Sequence, residues 1–275
     1  SDVLLPSFRE QGGMLWRGVT PIELLLYWGG DERGSDFKGP RRDFPISIPV
    51  ASHFPHAAGV ALAIKLQKEA RVAVAIAGDG ATSKGDFYEA LNIAGVWRLP
   101  VVFVIANNQW AISVPRRLQT AAETLAAKAA SAGVPSEMVD GNDVIAVRDA
   151  MDRALDRARS SSTPTLIEAQ TYRLSDHTTA DDAHRYRSDS EVSAQWKSEP
   201  LSRLRTHLVA KGVWTKTYEE RFLDECRERL DGAAEAYLAT EGQPVTAMFD
   251  WTFAKRPEDI ETQRAEALAR GEGPA

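Results

Sequence analysis

Two short apolar segments lie near the middle of the chain, and a helical pattern of apolar positions separates them. The segments are Val72–Ala77 and Val101–Ala106, both rich in valine and isoleucine. Short runs of this kind, without alternating polar positions, are typical of parallel strands that are buried on both faces. Between them, Asp86–Trp97 carries apolar residues at helical spacing. The pattern therefore predicts a strand–helix–strand unit with a right-handed crossover.

The same reasoning predicts the elements on either side of this unit. Helices are expected at His56–Glu69, Ala121–Ala132, Val144–Arg159, Glu191–Gly212 and Thr217–Ala239. Further strands are expected at Ser136–Val139 and Pro164–Thr171. The polar, charged segment Lys255–Ala275 is expected to be frayed.

These elements predict an α/β fold, with an open, mostly parallel sheet covered by helices on both faces and additional C-terminal helices. Residues 1–190 are expected to form one α/β domain that includes a loop at 172–190. Residues 191–275 are expected to form a helical extension that packs on the same domain.

Composition and charge exclude several classes of protein. The chain has 275 residues, a hydrophobic fraction of 43% and a net charge of −6, which argues against a general binder of nucleic acid or acidic membranes. No apolar run approaches the roughly 20 residues that a membrane helix needs. The single cysteine, Cys226, excludes an internal disulfide and a cysteine metal cluster. An intracellular protein is the expectation, cytoplasmic in a bacterium and in the mitochondrial matrix in a eukaryote.

Polar residues follow both apolar segments directly. Gly78, Asp79 and Gly80 come after the first segment, and Asn107 and Asn108 come after the second. The carboxyl ends of parallel strands meet at one edge of the sheet, where ligands of α/β proteins bind. A carboxylate beside an amide oxygen suits Mg²⁺ with a phosphate group, and the glycines allow the backbone to approach an anion. The alternative is a loop aspartate and a turn asparagine that cap a helix, but the pairing of the two motifs favours a metal–diphosphate anchor.

A second candidate segment is the polar stretch Tyr172–Ser190, which follows the last predicted strand. It contains Arg173 and His177 among several acidic and basic residues. Long ordered loops in compact domains are usually functional. Composition alone leaves open whether this is a functional loop or a disordered one with a solvated histidine.

The amino-acid sequences of these motifs resemble those of a known family. The segments GDGATSKGDFYEALNIAG and NNQWAISVP are similar to the α subunit of the E1 component of 2-oxo acid dehydrogenase complexes, and the resemblance extends from about Leu5 to about Leu208. It implies the thiamin diphosphate (ThDP) binding fold and oxidative decarboxylation of a 2-oxo acid, with acyl transfer to the lipoyl group of an E2 component. Pyruvate is the substrate it favours, and a branched-chain 2-oxo acid is the alternative.

The resemblance also implies a role for individual residues. It implies that Mg²⁺ is bound by Asp79, Asn108 and the backbone carbonyl of Trp110. It implies further contacts with ThDP from Phe8, Arg9, Ile48, Val50, Gly78, Gly80, Ala81, Arg173 and His177. His177 is also the implied catalytic acid–base residue, and its ordinary pKa near 6.5 suits that role. Related proteins often have tyrosine at the position of Phe8, so a hydroxyl to the phosphate is absent here. Asp181 and Asp182 are expected to stabilise the loop at 172–190 through ion pairs with Arg185 or Arg187.

The implied site is incomplete without partners. In the family, a glutamate from a β subunit activates the cofactor's aminopyrimidine, usually in an α₂β₂ assembly, and the acyl group passes to a lipoyl-bearing E2. We therefore expect this chain alone to bind ThDP weakly and to turn over nothing. The family also has about one more helical segment before Ser1, so we expect a truncated or processed N-terminus.

Two functions from other classes compete with this one. A nicotinamide-dependent oxidoreductase needs a third glycine in its G-x-G-x-x-G motif, and Gly78–Ser83 lacks it. A non-catalytic scaffold subunit would keep the fold and lose the chemistry, and the presence of Asp79, Asn108 and His177 argues against it.

Overall fold

The computed structural model describes residues 2–271; residue 1 and residues 272–275, which the predicted domains include, lie outside the described residues. The chain forms two compact units. The first comprises residues 2–19 and Phe37–Phe222, and the second comprises Thr20–Asp36 and residues 223–271. The predicted boundary at residue 190 stays a prediction.

A five-stranded parallel sheet forms the centre of the first unit, which confirms the predicted α/β class. Its strands follow the spatial order β1-β2-β3-β7-β6, and β4 and β5 form a separate antiparallel hairpin. The strands are β1 (Val3–Leu5), β2 (Ala73–Gly78), β3 (Val101–Asn107), β4 (Trp110–Ala111), β5 (Val114–Pro115), β6 (Ser136–Asp140) and β7 (Thr165–Gln170).

Helices make up most of the remaining regular structure. They are α1 (Gln11–Arg17), α2 (Pro21–Trp28), α3 (His53–Leu66), α4 (Gly85–Trp97), α5 (Arg116–Gln119), α6 (Val144–Ser161), α7 (Asp189–Gln195), α8 (Pro200–Ala210), α9 (Lys216–Leu238), α10 (Ala247–Asp250) and α11 (Glu258–Ala269). Within residues 2–271, none of these helices has the length and apolar character required to cross a bilayer.

The predicted strand–helix–strand unit is confirmed as β2, α4 and β3. The two strands pair in parallel from Ala73 opposite Val101 to Gly78 opposite Ala106. Beneath them, the ring of Phe54 packs against that of Phe103 with 5.2 Å between centroids, and both rings are fully buried. This register brings the residues that follow both strands to the same edge of the sheet.

Three of the expected elements are wrong. The alanine-rich segment Ala121–Ala132 forms only a 3₁₀ turn from Ala126 onwards, because the Arg116 guanidinium takes the carbonyl oxygens of Ala122 and Glu123 that a helix would use. The helix expected at Glu191–Gly212 is divided into α7 and α8.

The break between α7 and α8 has a local cause. Pro200 begins α8, and the Glu199 carboxylate accepts hydrogen bonds from the N–H groups of Leu201 and Ser202. This cap starts a new helix instead of continuing the first.

The third wrong expectation concerns Lys255–Ala275, which was expected to be frayed. Glu258–Ala269 within it is helical. Three acidic residues lie in the first turn of this helix, where they interact favourably with the helix dipole.

Candidate functional site

A cavity of about 330 Å³ lies at the carboxyl edge of β2 and β3. Ten of the residues predicted to bind cofactor or metal line it: Phe8, Arg9, Val50, Gly78, Asp79, Gly80, Ala81, Asn108, Trp110 and His177. Two others, Ile48 and Arg173, are not among the lining residues. Ile48 is about half exposed, whereas Arg173 is buried close enough to influence the charges of Asp79 and His177.

Asp79 lines this cavity and has one carboxylate oxygen without a hydrogen-bond partner among the described residues. Its side chain is 1% exposed, and its Oδ2 atom accepts a hydrogen bond of 2.7 Å from Nε2 of Gln119. Its Oδ1 atom is buried and has no hydrogen-bond partner among residues 2–271. Burial raises the pKa of Asp79, whereas the hydrogen bond from Gln119, the backbone N–H groups of Asp79 and Asn108 and the positive charge of Arg173 oppose that shift. A buried acceptor without a partner costs free energy, and a cation would relieve that cost.

Asn108 and Trp110 are held together by a tight turn after β3. The Oδ1 atom of Asn108 accepts a hydrogen bond of 3.1 Å from the backbone N–H of Trp110, and the intervening Gln109 has a left-handed backbone with φ +71°. The hairpin that follows lies directly over Gly80, where an added Cβ would be 2.9 Å from Cβ of Ala111. Glycine at position 80 therefore allows the close approach of the hairpin to the cavity.

A buried polar network supports this turn from behind. Glu168 on β7 is 1% exposed, and it accepts hydrogen bonds from Nδ2 of Asn107 at 2.6 Å and from the N–H of Ala126 at 2.8 Å. The Oδ1 atom of Asn107 in turn accepts hydrogen bonds from the backbone and side-chain nitrogens of Gln109. Glu168 is therefore a structural hydrogen-bond partner that links β7 to the end of β3 and to Ala126.

Arg9 and His177 meet at the other side of the cavity. One guanidinium nitrogen of Arg9 lies 2.9 Å from Nδ1 of His177 and 2.7 Å from its carbonyl oxygen. Burial lowers the pKa of His177, and the positive charges of Arg9 and Arg173 lower it further. The edge of the Phe8 ring also faces the imidazole, with 6.2 Å between centroids.

Arg173 carries a free donor. Its guanidinium donates to the carbonyl oxygen of Ile112 at 2.9 Å and to the hydroxyl of Tyr186 at 2.6 Å, while its Nη1 atom is buried without a partner in the described part of the chain. A buried guanidinium with an unused donor suits an anionic group. Arg173 and Asp79 therefore supply one unsatisfied donor and one unsatisfied acceptor, which is the pairing that a metal-bound diphosphate requires.

The loop after β7 is ordered by contacts that differ from those expected. Asp181 accepts hydrogen bonds from the hydroxyl of Tyr186 and from the N–H of His177, and Asp182 caps a short 3₁₀ turn. Arg187 donates to the carbonyl oxygens of residues 173–175. The expected ion pairs of the loop carboxylates with arginine are therefore wrong, because tyrosine and backbone groups already satisfy these side chains.

The donor set limits the kind of metal site that the cavity can form. In the part of the chain from residue 2 to residue 271, no cluster of three or more His, Cys, Asp or Glu side chains could hold a metal ion. A cation here would depend on one carboxylate, neutral amide and carbonyl oxygens, and oxygens supplied by a ligand. That combination is typical of Mg²⁺, which is commonly bound through one or two carboxylates and substrate phosphates.

Gln119 and Tyr186 are site residues that the sequence did not reveal. Gln119 ends α5 and is 40 residues from Asp79 in the sequence, and Tyr186 lies late in the loop, 13 residues from Arg173. The polar loop pattern did include Tyr186, but no sequence pattern pairs Gln119 with Asp79.

The chain is similar to several known proteins. A family model described as "Dehydrogenase E1 component" matches residues 1–245. The chain is 39% identical over 267 residues to a pyruvate dehydrogenase E1 component subunit alpha of Mycoplasma pneumoniae, covering 97% of this chain and 75% of the relative. It is 39% identical to the protein of the same name from Staphylococcus aureus strain Mu50, covering 95% and 71%. A 3-methyl-2-oxobutanoate dehydrogenase subunit alpha of Mycobacterium tuberculosis strain H37Rv is 40% identical over 98% of this chain and 73% of the relative.

Proposed function

The chain belongs to the dehydrogenase E1 component family, and we propose that it is the α subunit of a ThDP-dependent pyruvate dehydrogenase. One observation supports this proposal most strongly. A single cavity is lined by Asp79, Asn108 and His177, with Arg173 buried nearby. Among residues 2–271, the Oδ1 atom of Asp79 and the Nη1 atom of Arg173 have no hydrogen-bond partner. These are the groups needed to bind a metal–diphosphate and to move a proton beside it.

The residues of the chain divide into an anchor and a reacting side. Asp79, Asn108 and the carbonyl of Trp110 would hold Mg²⁺, and Arg9, Arg173 and the backbone near Gly80 and Ala81 would neutralise the diphosphate. Val50 and Phe8 would contact the cofactor rings. Bound ThDP supplies the carbon nucleophile and the electron sink for loss of CO₂ from a 2-oxo acid.

His177 is the acid–base residue of the proposed mechanism. Its lowered pKa keeps the imidazole neutral at neutral pH, so the ring can donate or accept a proton at the substrate. Arg9 can only donate hydrogen bonds, so Nδ1 of His177 accepts and Nε2 carries the proton. Nε2–H is then the group offered to a substrate oxygen.

The proposed enzyme needs two partners. A β subunit completes the active site in an α₂β₂ assembly, and a lipoyl-bearing E2 receives the acyl group. We expect cytoplasmic localisation, because the relatives named above are from bacteria, where no mitochondrial matrix exists.

Calorimetry tests the cofactor assignment. ThDP and Mg²⁺ are titrated into the chain alone and into its complex with a cognate β subunit. We expect strong, Mg²⁺-dependent ThDP binding in the complex and weak binding to the chain alone. Absence of binding in the complex contradicts the proposal and favours a non-catalytic subunit, and normal turnover by the chain alone contradicts the need for a β subunit.

The substrate requires a separate assay because the relatives divide between two activities. Pyruvate is the proposed substrate, and 3-methyl-2-oxobutanoate is the alternative favoured by the Mycobacterium tuberculosis relative. The αβ complex is assayed with both acids and a lipoyl acceptor, and the larger kcat/KM identifies the substrate. A preference for the branched acid overturns the proposed substrate and leaves the ThDP assignment standing.

A further inference from the structure

Gln119 makes an unusual contact for a residue outside the implied ligand set. It ends α5, just after the hairpin of β4 and β5, and its Nε2 atom donates to Oδ2 of Asp79 at 2.7 Å and to the carbonyl oxygen of Val114 at 3.1 Å. Its backbone carbonyl oxygen accepts a hydrogen bond of 3.3 Å from the hydroxyl of Ser83. Gln119 therefore connects the hairpin to both ends of the turn that carries Asp79.

The contact decides which carboxylate oxygen stays free. With Oδ2 engaged by the amide, Oδ1 is the acceptor of Asp79 that has no partner within residues 2–271. A carboxylate that could rotate would offer either oxygen, or both, to a cation. The hydrogen bond from Gln119 fixes the rotation and favours coordination through one oxygen.

The chemical type of this partner also matters. A lysine or arginine at the same place would form an ion pair and cancel the negative charge that attracts a cation. An amide donates a hydrogen bond without adding a positive charge that would repel the cation. The Oε1 atom of Gln119 is itself buried without a partner among the described residues. It can accept a hydrogen bond from water, and Mg²⁺ usually keeps several waters when it is bound by protein.

We infer that Gln119 is a positioning residue for the divalent cation. Its Nε2 atom orients the Asp79 carboxylate, and its Oε1 atom accepts a hydrogen bond from a water bound to the cation. This inference rests on the proposed function, since it requires Mg²⁺ at Asp79. It explains why Oδ1 of Asp79 and Oε1 of Gln119 are both buried without a hydrogen-bond donor among the described residues. Substitution of residues that orient metal ligands typically lowers metal affinity by about 10–100-fold.

The test measures Mg²⁺ binding directly, apart from catalytic activity. MgCl₂ is titrated by calorimetry into the α–β complex at saturating ThDP, for the wild type, Gln119→Met and the control Gln67→Met. Methionine keeps the length of the side chain and removes both polar atoms, and Gln67 is an exposed glutamine just after α3. We expect Gln119→Met to raise the Mg²⁺ dissociation constant about 10–100-fold, and Gln67→Met to leave it unchanged.

The outcomes separate this inference from the proposed function. If the wild type binds Mg²⁺ with ThDP and Gln119→Met binds within about threefold of it, well below the expected loss, Gln119 does not position the cation, and the proposed function stands. If the wild type shows no Mg²⁺-dependent binding, both are overturned. Should Gln119→Met fail to fold, Gln119→Asn keeps the amide but withdraws it by one methylene, and the same loss of Mg²⁺ affinity is expected. Wild-type affinity in Gln119→Asn would also overturn the inference.

Discussion

Arg9 fixes the proton position on His177. The two residues are 168 positions apart in the sequence, yet an Arg9 nitrogen is 2.9 Å from Nδ1 of the imidazole and 2.7 Å from the carbonyl oxygen of the same residue. Arginine has no acceptor and does not lose its proton in proteins. Nδ1 must therefore accept, and the neutral ring carries its proton on Nε2.

The first prediction concerns the charge of this arginine. In Arg9→Gln, the pKa of His177 should rise, because a positive charge that disfavours the imidazolium is removed while the glutamine amide can still donate to Nδ1. The measurement is a titration of the His177 ring protons by NMR in the absence of cofactor. His184, exposed in the same loop and paired with Asp189 at 2.8 Å, is the control. An unchanged or lower pKa of His177 would show that Arg9 does not set its charge.

The second prediction is that the Asp79 carboxylate destabilises the fold when no cation is bound. Its pKa is raised in the folded state, so the free energy of unfolding falls as pH rises through the ordinary pKa of aspartate and on through the raised one. Asp79→Asn should therefore increase stability at about pH 7.5 and have little effect near pH 3, while abolishing Mg²⁺ binding. The expected gain is on the order of 1–3 kcal/mol, because the variant no longer buries an ionised carboxylate in the folded protein.

Thermal unfolding without Mg²⁺ checks this prediction, with a rise in Tm of about 2–4 °C for each kcal/mol gained. The control is Asp149→Asn at an exposed position of α6, which should change Tm little at either pH. A variant at position 79 that is less stable than wild type at the higher pH would mean that the carboxylate is satisfied in the folded protein.

The third prediction uses the network of Glu168 and Asn107. Glu168→Gln should destabilise the protein by about 1–3 kcal/mol, because one of its two donors then faces an amide nitrogen. Asn107→Asp should also destabilise it, since two carboxylates would then face each other in a buried site. The double variant restores one acceptor for each donor. The new amide at position 168 can donate to the new carboxylate at position 107, which can still accept from Gln109.

Chemical denaturation of the four proteins forms a double-mutant cycle that measures this coupling. We expect the double variant to be more stable than the sum of the single changes predicts, by about 0.5–3 kcal/mol. Additive effects would mean that the two side chains do not exchange a hydrogen bond.

The sequence predicted the parts of the site that depend on local pattern. The apolar runs before Asp79 and Asn108 indicated two parallel neighbours, because β-branched segments joined by a helix have few other arrangements. The sequence could not predict hydrogen bonds between side chains that are distant along the chain. No pattern near Gln119, for example, indicates a contact with Asp79. The helix expected in the alanine-rich segment Ala121–Ala132 was wrong for a related reason. Helix propensity contributes little free energy per residue, and the hydrogen bonds from Arg116 to the backbone carbonyls override it.

The fourth prediction compares two helical glycines in different surroundings. Gly59 in α3 is exposed, and an added Cβ would meet nothing within 4 Å among the described residues, whereas at Gly95 in α4 it would overlap the carbonyl oxygen of Ala132. Gly59→Ala should stabilise the protein by about 0.5–1 kcal/mol through helix propensity alone. Gly95→Ala gains the same propensity but must displace backbone, so we expect a net loss of about 1–3 kcal/mol. Denaturation midpoints of both variants measure the difference, and equal effects would show that α4 does not pack closely on the segment at Ala132.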